Sequence, residues 1–125
     1  MTGIDRVSTV TIAVNDENEA CRWFIEKLGF EKRLDLSGPG LRWLTVAPKN
    51  QKEVQFLLAT WFPEHIGKNA TCVVDTLDCR KTYEELKRNG VTFSQEPRER
   101  PYGVEAVFQD LCGNTYALVE HQNKP

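Results

Sequence analysis

At 125 residues, 40% hydrophobic and 27% charged, the chain has the composition of one folded domain, long enough to bury a core and short for two independent ones. A net charge of −2, with no Lys/Arg cluster interleaved with aromatics, argues against binding nucleic acid or an anionic membrane. The opening MTGIDRVSTV lacks the basic and apolar regions of a signal peptide, and no apolar run reaches transmembrane length, so a cytoplasmic protein with free thiols is expected.

Val7–Val14 is rich in β-branched residues and is predicted as a strand. Asp16 offers an N-cap, with Glu19 completing a capping-box pattern. Ala20, Trp23, Phe24, Ile25 and Leu28 then form the apolar stripe of a helix that Gly29 ends in a left-handed conformation. Strands are predicted at Phe30–Leu36, Leu41–Ala47 and Glu53–Thr60, with the turn Ser37–Gly40 and the polar loop Pro48–Lys52 between them. Trp61–Lys68 reads as a linker. The order then repeats: a strand at Ala70–Val74, a helix at Leu77–Asn89 with Tyr83 and Leu86 on one face, and strands at Val91–Ser94, Gly103–Gln109 and Thr115–Glu120. Gln95–Tyr102, with two prolines, reads as a connection, and the tail after His121 as frayed. Cys21, Cys72 and Cys79 read as small buried hydrophobes, while Cys112 lies in a turn.

The segments VTIAVNDENEACRWFIEKLG and ATCVVDTLDCRKTYEELKRNG are therefore two copies of one unit. The expected fold is α+β: two tandem βαβββ modules related by a pseudo-two-fold axis and forming a concave cleft. Residues 1–60 make the first module, 61–68 the linker and 69–125 the second. Each sheet alone would leave a face uncovered.

Leu28-Gly29-Phe30 after the first helix, and Asp110-Leu111-Cys112-Gly113-Asn114 in the last hairpin, resemble motifs of the vicinal oxygen chelate superfamily, which includes glyoxalase I, extradiol dioxygenases and bleomycin resistance proteins. The resemblance covers essentially the whole chain and implies a homodimer. In metal-dependent members, the ligands are His, Glu or sometimes Gln on the first and fourth strands of each half. The matching positions here are Thr9, Gln55, Asn69 and Ala117. A hydroxyl, two amides and a methyl make a poor cation site, so no metal and no cofactor is expected. His65, His121, Glu53 and Glu120 are read as surface or rim groups, with Glu53 sharing the parity of Gln55.

Without a metal, the cleft is left to bind a small organic molecule, with aromatic compounds and antibiotics as the expected classes. Candidate ligand-binding residues are Thr9, Thr11, Trp43, Gln55, Leu57, Asn69, Thr71, Tyr102, Glu105 and Ala117. Trp43 is read equally as a stacking wall or as core, and Trp61 and Phe62 as a pocket lip or an interface. Glu105, inside GVEAVF, is the candidate acid or base of a metal-free enzyme, or else a salt-bridge partner of a residue such as Arg42. Asp110 and Asn114 are expected to shape the hairpin. A metal-dependent lyase, isomerase or dioxygenase is the alternative, and would need ligands elsewhere.

Overall fold

The computed structural model describes residues 2–121, and the expectation of a frayed tail concerns residues that lie outside them. The chain divides after Pro63 into two compact units.

The first unit contains β1 (Thr9–Ala13), α1 (Glu17–Leu28), β2 (Glu31–Gly38), β3 (Leu41–Ala47) and β4 (Gln55–Ala59). They form a four-stranded sheet in the order β1-β4-β3-β2, with β1 parallel to β4 and the other pairs antiparallel. Asp16 caps α1 as its spacing predicts: the carboxylate accepts the Glu19 N–H at 2.9 Å. At the other end Gly29 has φ 74°, and its N–H and that of Phe30 donate to the Ile25 and Phe24 carbonyls. The buried side of α1 is Ala20, Cys21 and Phe24. This is narrower than the predicted stripe, because Ile25 is exposed. Phe24 meets Phe56 of β4 at 6.0 Å between ring centroids and Phe30 at 5.5 Å, which marks the helix side of the sheet.

A 3-10 turn at Pro63–His65 marks the boundary, and the second unit contains β5 (Cys72–Asp75), α2 (Cys79–Arg88), β6 (Thr92–Arg100), β7 (Gly103–Gln109) and β8 (Thr115–His121). The order β5-β8-β7-β6 repeats that of the first unit, again with one parallel pair. Both units are thus βαβββ modules. Asp78 caps α2 through the Lys81 N–H, and the Glu120 carboxylate adds an acceptor for the Cys79 N–H at 2.8 Å. On the helix side Tyr83, Phe93, Phe108 and Tyr116 form a continuous run of ring contacts.

One boundary departs from expectation. The segment predicted as the Gln95–Tyr102 connection is mostly strand, since β6 continues through Pro97 to Arg100. A central strand would forfeit a ladder bond at Pro97, but β6 is an edge strand and its register shifts between Gln95 and Arg98. Among the described residues no helix is long and apolar enough to cross a membrane.

Candidate functional site

Strand register sorts the candidates in the first unit. Thr9 lies opposite Gln55, and Thr11 opposite Leu57, which is in turn opposite Thr45. Trp43 is two residues from Thr45 and pairs with Leu36. These side chains therefore share one face, while Val10, Phe56 and Val46 occupy the face that α1 covers. The helix-free face is graded. Thr45 and Leu57 are buried, Thr9 and Gln55 half-buried, and Thr11, Trp43, Leu34, Leu36 and Leu41 exposed. Trp43 is 36% exposed and Leu36 61%. The Trp61 ring lies 6.3 Å from that of Trp43 at 40°, and Phe62 meets Trp61 edge-on at 6.2 Å. The result is an aromatic ledge beside a neutral polar strip. Glu53, expected to share the face of Gln55, lies before β4 and is exposed.

A small network holds the polar strip. The Thr45 hydroxyl accepts the Leu34 N–H at 3.1 Å and donates its own proton to Gln55 Oε1. Thr45 was not among the sequence candidates; its parity with Trp43 on β3 was the available signal.

In the second unit, Glu105 and Ala117 lie on the helix-free face: Ala117 pairs with Val107, and Glu105 with Val119, alternating with the Phe108–Tyr116 pair. Thr71 precedes β5 and is exposed, and Tyr102 is in the β6–β7 turn. Glu105 pairs with Arg100, not with the Arg42 that the sequence suggested. Arg100 Nε lies 3.5 Å from Glu105 Oε1, and the Tyr102 hydroxyl donates to Oε2 at 2.9 Å. The carboxylate raises the Tyr102 phenol above its ordinary range. Arg42 is committed within the first unit, to Asp35 through two bonds of 2.9 Å and to Asn18 at 2.8 Å, and it holds the Asp35 carboxyl below the usual range.

Asn69 has a local task. Its Oδ1 accepts the Thr115 N–H at 2.8 Å and its Nδ2 donates to the Thr115 carbonyl at 3.1 Å, so the amide extends the pairing of β8. His121 pairs with Asp75 at 2.9 Å, and His65 lies 3.8 Å from Glu64. Asp110 and Asn114 shape the hairpin as expected. Asp110 accepts four bonds: from the Cys112 and Asn114 N–H groups, from Asn114 Nδ2 and from the Tyr116 hydroxyl. Burial, followed by the Asp110 carboxylate, pushes the Tyr116 phenol far above its ordinary range.

All four cysteines are thiols outside any disulfide, and burial raises the pKa of Cys21, Cys72 and Cys79. No group of three His, Cys, Asp or Glu among the described residues is arranged to hold a metal ion. A shallow hollow of about 380 Å³ lies on the helix side of the first unit, between α1 and the β2–β3 hairpin, and includes Cys21, Arg22, Lys32 and Arg42 in its lining. Asp35 engages both Lys32 and Arg42, so this hollow reads as a charged seam tying helix to hairpin.

With this geometry in place, comparison with known proteins fixes the family. The model of the Glyoxalase/Bleomycin resistance protein/Dioxygenase superfamily matches residues 4–118. The chain belongs to this superfamily. It is 34% identical to the uncharacterized protein YetH of Bacillus subtilis (strain 168) over 123 residues, covering 94% of this chain and 99% of YetH. The crystal structure of UcmS2 is similar at 41% identity and TM-score 0.84, covering 94% of this chain and 98% of that one. TnmS3, an antibiotic binding protein from Streptomyces sp. CB03234, is similar at 29% identity and TM-score 0.88, covering 98% of this chain and all of its own. The superfamily thus spans enzymes and binding proteins, and the choice between them rests on the site.

Proposed function

We propose that the protein binds a small, flat organic molecule without a metal, using the helix-free face of the first unit. The observation that carries this reading is the ledge of Trp43, half-buried Trp61 and Phe62 beside the exposed Leu36. Aromatic rings offset or tilted at such spacings accept a further ring, and apolar walls with a few placed polar groups are what ligand sites are made of. Thr9, Thr11 and Gln55 supply the polar groups, all uncharged. The description of TnmS3 as an antibiotic binding protein supports the same class of ligand.

The residues at the superfamily's metal positions do not fit a cation. Gln55 Oε1 is taken by Thr45, both amide atoms of Asn69 are taken by Thr115, and Ala117 has no donor. Thr9 alone offers a neutral hydroxyl, which does not offset cation dehydration. Glu105 is engaged by Tyr102 and Arg100 within the second unit, and this reading gives it no acid or base step. A homodimer in the cytoplasm belongs to the same proposal, supported by exposed apolar residues outside the ledge, Val7 and Val73, and by the four thiols.

The test is calorimetry with a panel of planar aromatic antibiotics, on protein treated with EDTA and on Trp43→Ala. Saturable binding that survives the chelator and weakens about tenfold or more in Trp43→Ala supports the reading. Binding or turnover that disappears with EDTA and returns with a divalent metal overturns it.

A further inference from the structure

The Thr45–Gln55 contact says more about the ligand than that it is flat. The Thr45 hydroxyl oxygen accepts the Leu34 N–H and donates its single proton to Gln55 Oε1. In this arrangement the Gln55 amide turns its oxygen toward Thr45. Its acceptor is occupied, while its Nε2 has no partner among the described residues. Gln55 is half-buried on the helix-free face, opposite Thr9 and beside the strip that leads to Trp43.

We infer that Gln55 is a specificity-determining residue that presents only N–H donors, and so selects flat ligands carrying a ring carbonyl or comparable oxygen acceptor. This rests on the proposed aromatic-binding face and narrows its ligand class. Thr45 is the positioning residue: it sits in the strand ladder, buried, and cannot turn without abandoning either Leu34 or Gln55. A ligand offering only C–H at this point would leave the Nε2 hydrogens without an acceptor once water is displaced.

A matched pair of soluble probes separates the two ideas: 9-fluorenone-2-carboxylate and fluorene-2-carboxylate, which differ in one carbonyl oxygen. Their dissociation constants are measured by tryptophan quenching and calorimetry on the wild type, Gln55→Met, Gln55→Glu and Thr45→Val, with folding of each variant checked by circular dichroism. The ketone is expected to bind the wild type about three- to tenfold more tightly, the range of one neutral hydrogen bond. That ratio falls to near one in Gln55→Met, narrows in Thr45→Val, where the amide is free to turn, and inverts in Gln55→Glu, which offers no donor. If both probes bind and their ratio is the same in wild type and Gln55→Met, the donor role is wrong and the aromatic face stands. If neither probe binds the wild type, the aromatic face itself is wrong and the donor role falls with it.

Discussion

Replacing Tyr116 with Phe removes one buried polar contact of the second unit. The phenol is fully buried and donates to Asp110 Oδ2 at 2.7 Å. Hydrogen bonds to a charged partner contribute about 1.5–3 kcal/mol. Asp110 keeps its three other donors in the variant, at 2.8, 3.0 and 3.0 Å, so the carboxylate is not stranded. A loss of about 2 kcal/mol at pH 7 follows. In urea, with a slope of roughly 1–3 kcal/mol per molar, the midpoint falls by about 1 M. The same contact has an alkaline signature. The folded-state pKa of Tyr116 is raised, so its contribution is fully present below the unfolded value near 10 and is lost as pH rises above it, because the unfolded chain then gives up a proton that the native one retains. Between pH 10 and 11 the wild type therefore approaches Tyr116→Phe at up to about 1.4 kcal/mol per pH unit. Urea titrations followed by circular dichroism at pH 7, 10 and 11 measure both effects. A loss below about 0.5 kcal/mol at pH 7, or parallel pH profiles, refutes the reasoning.

Asp16→Ala removes the acceptor of the Glu19 N–H and is expected to cost about 1 kcal/mol, read from the urea midpoint. Gly67→Ala is expected to cost about 1–3 kcal/mol by the same assay, because φ is +75° there and a Cβ would lie 3.0 Å from the Cys112 carbonyl oxygen. Cys21 and Cys79 are buried and their raised pKa lowers the thiolate fraction, so Ellman's reagent at pH 8 should titrate no more than two of the four thiols in native protein and all four after denaturation.

The features legible in the sequence are those fixed by neighbours in the chain. Asp16 and Gly29 set the ends of α1 through bonds to residues a few positions away, and the period-two rule puts Thr9 with Thr11 on one face of their strand; that Gln55, Leu57 and Trp43 share that face comes from the register between strands. What failed depends on partners far along the chain. Pro97 reads as a strand breaker until β6 is known to be an edge, and the amide of Asn69 reads as a pocket group until Thr115, 46 residues on, takes both its atoms. Arg42 and Arg100 are equally plausible partners for Glu105 by charge, and only sheet topology separates them. Thr45 was missed as an orienting group because its value lies in a hydroxyl shared between Leu34 on one neighbouring strand and Gln55 on the other.

The central claim is that the ligand lies on the ledge of Trp43 and Trp61. The chain has three tryptophans, and the third, Trp23, is on α1 in edge contact with Phe24. Indole N–H signals of ¹⁵N-labelled protein, followed during titration with 9-fluorenone-2-carboxylate in the presence of EDTA, report on all three at once. Saturable shifts of Trp43 and Trp61 with Trp23 unmoved are the predicted result. Shifts confined to Trp23, or none at all up to millimolar probe, contradict the account.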